Sequence, residues 1–296
     1  MTAMTTTLPY YLGCPVWACA EWVGTLFRTS DRRKWLRDYS AVFNTVEGNS
    51  TFYGLPSIET VQRWGESTAD GFRFALKFPR DISHECRLVN AERVTSQFVE
   101  VLETLDRFDR LGPAFLQLSP HFSGRQFGTL VEYLKRLPDE YAYAVEVRHE
   151  DYFCGDGLEQ ELNSVLTELG MDRCLFDSRP LFSRPPSDDI ERESQRRKPR
   201  SPYRKTVTGS RPMLRFVGRN TVSEVTPWIE EWAPVIAGWI DEGLEPYIFA
   251  HSPNDAFAPH FACRLHDEIR LHSESVPALV PWPGQGAESK RQKSLF

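Results

Sequence analysis

The chain has 296 residues, 41% of them hydrophobic and 12% aromatic, enough apolar material for one large domain with a buried core. Its 35 basic residues stand against 41 acidic ones, so it is not a polybasic nucleic-acid binder, and an anionic partner must meet a local basic patch. No run approaches the roughly 18 apolar residues of a membrane helix, and no basic-then-apolar leader opens the sequence.

The six cysteines are scattered, with no Cys-x-x-Cys pair, and read as reduced thiols. A cytoplasmic protein with no membrane partner is expected. Residues 1–11 read as a flexible start.

Short apolar runs then alternate with helical patterns. Candidate strands fall at 12–17, 42–47, 72–78, 114–118, 143–148, 174–177, 213–217 and 247–251. Ser30 or Asp31 caps a first helical segment through Trp35 and Leu36, and Ser57 a second through Val61 and Trp64. Helical spacing of apolar residues marks further helices at 93–105, 127–137, 158–169, 228–240 and 261–271. Strand, helix, strand in repetition implies parallel strands with right-handed crossovers. Eight units predict a (β/α)8 TIM-type barrel in a single domain over 12–274 rather than an open doubly wound sheet.

The polar stretch 184–211 breaks this rhythm, replaces the expected sixth helix, and is strongly basic from Gln195 to Lys205. It reads as a mobile solvated loop, or as a flap that touches phosphates.

Function in such folds collects at the carboxyl ends of strands. There the sequence supplies Glu47, followed by Asn49 and Tyr53, then Lys77, Gln117, Glu146 with Arg148 and His149, Asp177, Arg215, and His251 followed by Asn254. Charges in apolar strands are costly to bury unless paired. Glu47, Glu146 and Asp177 are therefore expected to balance Lys77, Arg148 and Arg215 around one pocket. The catalytic candidates are Glu146, Glu47, Asp177 and Lys77, with a carboxylate as general acid or base. Asn49, Tyr53, Gln117, Arg148, His149, Arg215, His251 and Asn254 are the substrate-binding candidates. The carboxylates with His84, His149 or His251 could hold a divalent metal, but no His-x-His or His-x-x-x-His spacing signals one. No Gly-x-Ser-x-Gly elbow, Walker loop or Gly-x-Gly-x-x-Gly is present.

The stretch 275–296 reads as a flexible tail ending in Gln292-Lys-Ser-Leu295-Phe296. It looks like the peptide with which bacterial proteins dock on the DNA sliding clamp: two apolar side chains for a partner's pocket, and an amide for hydrogen bonds.

Four blocks, Glu47-Gly-Asn-Ser-Thr-Phe-Tyr53 with Leu55-Pro56, Phe72-Arg-Phe-Ala-Leu-Lys77, Leu111-Gly-Pro-Ala-Phe-Leu-Gln-Leu118 and Val145-Glu-Val-Arg-His149, resemble the YecE-like family, domain of unknown function 72. The resemblance runs from about Leu12 to about His266. It implies a TIM-type barrel similar to that of apurinic endonucleases and sugar isomerases, and no settled activity. Its pocket positions fall on Glu47, Asn49, Lys77, Glu146, Arg148 and His149. Two blocks depart from the pattern: Gly13-Cys-Pro-Val-Trp17 replaces Gly-Thr-Ser-Gly-Trp, and Arg215-Phe-Val-Gly218 lacks the histidine of Arg-Leu-His-Gly.

Together these features point to a hydrolase-type enzyme acting on nucleic acid or a phosphorylated substrate, recruited to the clamp. The alternatives are a non-catalytic ligand- or DNA-binding module and a sugar or sugar-phosphate enzyme.

Overall fold

The computed structural model describes residues 8–155 and 157–282. Eight strands form where the apolar runs predict them: β1 (Tyr11–Gly13), β2 (Thr45–Gly48), β3 (Arg73–Leu76), β4 (Ala114–Gln117), β5 (Tyr143–Glu146), β6 (Asp172–Asp177), β7 (Met213–Val217) and β8 (Tyr247–His251). Every pairing between them is parallel.

The helices are α1 (Trp35–Ser40), α2 (Ser50–Tyr53), α3 (Ile58–Ser67), α4 (Glu92–Arg107), α5 (Phe127–Leu134), α6 (Leu158–Glu168), α7 (Asp189–Arg197), α8 (Thr226–Asp241) and α9 (Ala258–Ile269). Ser57 caps α3 by accepting from Thr60 N. Asp31 caps the short 3-10 turn before α1 in the same way.

The expected closed (β/α)8 TIM-type barrel does not form. Six strands make one sheet in the order β1-β8-β7-β6-β5-β4, and β2 and β3 pair separately. The result is an open, curled α/β sheet. At the β1–β2 seam, side chains stand where ladder bonds would run. Asn44 Nδ2 donates to Tyr10 O at 2.8 Å, and Asn44 Oδ1 accepts from Leu12 N at 2.8 Å. The Tyr39 hydroxyl accepts from Cys14 N at 2.7 Å and donates to Thr45 O at 2.9 Å. Between β3 and β4 only isolated bridges occur, at Phe74–Leu111 and Lys77–Phe115. Single backbone bonds still cross the seams, Glu47 N to Cys14 O at 3.1 Å and Phe78 N to Phe115 O at 3.0 Å, so the backbone groups there are satisfied by side chains and scattered bonds rather than by a continuous ladder.

Side chains alternate between the two faces of each strand. Val46, Phe74, Leu116, Val145, Leu175, Phe216 and Ile248 join the large core beneath the helices. Ala75, Phe115, Ala144, Cys174, Met213, Tyr247 and Phe249 form a second, inner cluster. One step further along the same parity come Glu47, Lys77, Gln117, Glu146, Phe176, Arg215 and His251. The inner face is thus apolar low down and charged at the carboxyl ends, where ligands of open α/β sheets also bind.

The basic stretch contains a helix that hydrophobic periodicity does not reveal. Asp188 caps α7 by accepting from Glu191 N at 2.7 Å. Buried Glu191 accepts from Arg219 at 2.7 Å, from Ser187 N and from Asn220 N. A buried ion pair, rather than an apolar stripe, docks α7 on the loop after β7. Ser178 Oγ donates to Pro199 O at 2.7 Å and secures the segment beyond it.

Candidate functional site

The carboxyl ends of the strands open into a cleft of about 760 Å³. Its floor is a chain of charges. Arg215, at the middle of β7, donates from Nε and Nη2 to Glu47 at 2.9 and 2.7 Å, and from Nη1 to Glu146. Its guanidinium lies 5.3 Å from the Phe115 ring centre and 5.5 Å from that of Phe176, which hold the plane in place. Glu146 also takes Arg148 Nε at 2.6 Å. Glu47 also takes Asn49 Nδ2 at 2.7 Å and His251 Nε2 at 2.8 Å. A carboxylate can only accept, so the His251 proton sits on Nε2.

These contacts decide the protonation states. Burial is the largest single influence and pushes both carboxyls up, but it is outweighed by the neighbouring charges and hydrogen bonds taken together, led by Arg215. Helped by His251, Arg215 holds Glu47 well below the usual range. Helped by Arg148, it brings Glu146 down to about 2. Burial lowers His251 to about 4 despite Glu47, so the imidazole is neutral at pH 7. Both carboxylates are ionised and fully engaged at neutral pH. The role of general acid expected of a carboxylate has no occupant on this floor.

Lys77 differs. It extends just beyond β3 and is only 8% exposed. Its Nζ lies 3.8 Å from the Phe52 ring centre. Among the described residues, no carboxylate lies within ion-pair distance of it. Burial first, then Arg215, bring its pKa down to about 7, against the opposing pull of Glu146.

Lys198, at the end of α7, is lowered to about 8 by burial and Arg215. With Ser194 and Arg197 it forms one wall of the cleft. The buried Ser194 hydroxyl has no hydrogen-bond partner among the described residues. The two acidic groups of α7 that line the cleft are engaged on the helix itself, Glu193 with Arg196 and Arg197 and Asp189 with Arg192. Asp255 stands on the rim, its carboxyl raised by burial and opposed by Lys198. His84, lowered to about 4 by burial and by Lys77, completes the side over Phe52.

Of the sequence candidates, Glu47, Asn49, Tyr53, Lys77, Gln117, Glu146, Arg148, Arg215 and His251 come together here. Gln117 and Arg148 line the cleft, and Tyr53 sits on its rim, 83% exposed.

Three candidates lie elsewhere. Asp177 is one residue out of parity and faces the helix layer, where it accepts from Trp232 Nε1 at 2.8 Å and is clasped by Arg179. It therefore does not share the pocket with Glu47 and Glu146. His149 turns away to accept from Asp151 N. Asn254 caps the turn before α9 by accepting from Ala256 N.

Lys198, Ser194, Arg197 and Phe52 were not among the sequence candidates. Only the basic run of 195–205 hinted at the first wall. Val217, where the family pattern has histidine, packs with Phe176 and Leu181. Among the described residues, no group of three or more His, Cys, Asp or Glu could hold a metal ion. No described helix is long and apolar enough to cross a membrane. Gln292, Leu295 and Phe296 lie outside the described residues.

Comparison with known proteins bears on this arrangement. The UPF0759 protein YecE of Escherichia coli (strain K12) is 35% identical over 277 residues, covering 94% of this chain and 98% of its own. A DUF72 family protein from Enterococcus faecalis V583 matches in structure with a TM-score of 0.67 at 17% identity, over 88% of this chain and 95% of that one. One from Thermotoga maritima MSB8 matches with a TM-score of 0.66 at 21% identity, over 88% and 99%. The family model described as "Protein of unknown function DUF72" covers residues 11–285, and the chain belongs to that family.

Proposed function

We propose that the protein is an enzyme acting on a phosphate-bearing substrate, a nucleic acid or a sugar phosphate, in the cleft above β2, β3, β5 and β7. One observation carries this reading: Arg215 and its neighbours consume both buried carboxylates. Lys77 is left in the same cleft, which Lys198 also lines, with no carboxylate within ion-pair distance among the described residues. A site of that kind favours an anion that supplies the missing negative charge. The reacting group is then Lys77, whose lone pair is available near neutral pH, rather than a glutamate. Glu47 and Glu146 hold Arg215 and Arg148 in position.

Thermal shift against glycerol 3-phosphate, with glycerol as control, tests the substrate class. Stabilisation by the phosphate ester alone is expected, weakened at least tenfold in affinity by Lys198→Glu. Equal responses to the two compounds would overturn the reading. A short single-stranded DNA in the same assay separates the polymeric from the small substrate.

The terminal Gln292-Lys-Ser-Leu295-Phe296 supports a separate proposal, recruitment to the DNA sliding clamp. Capture by immobilised clamp should disappear when these residues are deleted; equal capture would remove it.

A further inference from the structure

We infer that Lys77 is a Schiff-base nucleophile, and that the substrate is a phosphorylated sugar presenting an aldehyde or ketone carbon. This deepens the reading above and rests on it.

Three features of position carry the inference. The amine is buried at the cleft floor and lies against the Phe52 ring. Both carboxylates that could have kept it protonated are bound by Arg215 and Arg148. The guanidinium groups of those two arginines stand near it and disfavour a third cation. An ordinary lysine at pH 7 is unprotonated in roughly one molecule in a thousand or fewer. An amine desolvated beside other cations is a known route to a usable lysine nucleophile. A lysine held only for charge would be expected to have a carboxylate partner, and among the described residues Lys77 has none within ion-pair distance.

The step balances without an external oxidant or reductant. The Nζ lone pair attacks the carbonyl carbon, forming C–N while the C=O π pair moves to oxygen, which takes up a proton. The nitrogen, cationic after the attack, gives one proton to water in the cleft, and the neutral carbinolamine then loses its hydroxyl as water with a second proton taken up. The nitrogen lone pair closes the C=N bond of a protonated imine. Gln117 and Arg148 line the same cleft and can donate to the carbinolamine oxygen. Protons exchange with water in the cleft, since neither carboxylate is free to carry them. Lys198 on the α7 wall is the cation best placed to take the phosphate, with Arg197, already paired to Glu193, beside it.

The test is reductive trapping. Full-length protein is treated with glyceraldehyde 3-phosphate, or with an oligonucleotide carrying one abasic aldehyde, in the presence of cyanoborohydride, and the adduct is mapped by mass spectrometry. The expected result is one adduct at Lys77, at least tenfold faster than at any other lysine, with a half-maximal rate near pH 7. Lys77→Met should abolish it while circular dichroism stays unchanged. Should that variant not fold, the pH profile and adduct map of the unaltered protein decide alone. Adducts spread over surface lysines, with a rate still rising at pH 9, would overturn the inference. Which of the two probes reacts separates the free sugar phosphate from the strand. Glycerol 3-phosphate has no carbonyl: if it stabilises the protein while neither aldehyde marks Lys77, the inference falls and the phosphate-binding reading stands. If it does not stabilise the protein either, both fall.

Discussion

Arg215 on β7 and Glu47 on β2 form a two-pronged ion pair, at 2.7 and 2.9 Å, between strands that belong to different sheets. The pair joins the six-stranded sheet to the two-stranded one where the hydrogen-bonded ladder does not.

Removing Arg215 should therefore cost far more than removing a surface arginine. Arg215→Met leaves Glu47 and Glu146 buried without their main partner, a situation that costs about 3–5 kcal/mol. Urea denaturation of Arg215→Met against a triple variant that also carries Glu47→Gln and Glu146→Gln checks this. The triple variant should recover most of the loss; a single-variant loss below about 1 kcal/mol would refute the account. The acid side follows in sign. The folded-state pKa of Glu146 is depressed from 4.5 to about 2, so its contribution is fully present above pH 4.5 and is lost as pH falls through about 2.

Asp177→Asn separates structure from chemistry. Asp177 holds Trp232 and Arg179 in the helix layer, so the variant should lose about 1–3 kcal/mol of stability. Binding of glycerol 3-phosphate at the cleft should be unchanged within twofold. A selective loss of binding with stability intact would return Asp177 to the site.

Lys77→Met should change stability in a pH-dependent way. The folded pKa of Lys77 is lowered from 10.5 to about 7, so burying its charge opposes folding fully below pH 7 and progressively less up to 10.5. The variant should therefore gain more at pH 6 than at pH 9, by about 2–3 kcal/mol. Chemical denaturation of both proteins at the two pH values reads the difference. An equal effect at both would mean that the amine is solvated like a surface lysine.

The β1–β2 seam is sensitive to a single methyl group. A Cβ on Gly13 would stand 2.0 Å from Thr45 O, a backbone atom that cannot move without its strand. Gly13→Ala should destabilise by about 1–3 kcal/mol or more. Gly128 in α5 meets nothing within 4 Å, and Gly128→Ala should stabilise slightly. Melting temperatures of the two variants moving in the same direction would contradict the geometry at the seam.

The order of elements was legible from the chain alone. Met213–Val217 and Tyr247–His251 fall where their apolar runs predict, and the others within a few residues, because burial on both faces writes a local pattern. The Ser57 cap is equally local. So was most of the charged layer, since a glutamate, lysine or arginine inside an apolar strand is conspicuous wherever it occurs.

Closure of the sheet was not legible. It depends on Asn44 and Tyr39 taking backbone partners from other segments, and nothing in a period of two or 3.6 reports such contacts. Asp177 was misplaced because its position at the strand end suggested the pocket, whereas parity opposite to that of Cys174 and Phe176 turns it outward. Helix α7 left no hydrophobic trace, because the Glu191–Arg219 pair docks it. The role of Lys77 also had to await tertiary structure. Its charge is visible in the sequence, but its lack of a counter-ion among the described residues follows from which carboxylates Arg215 and Arg148 reach across the sheets.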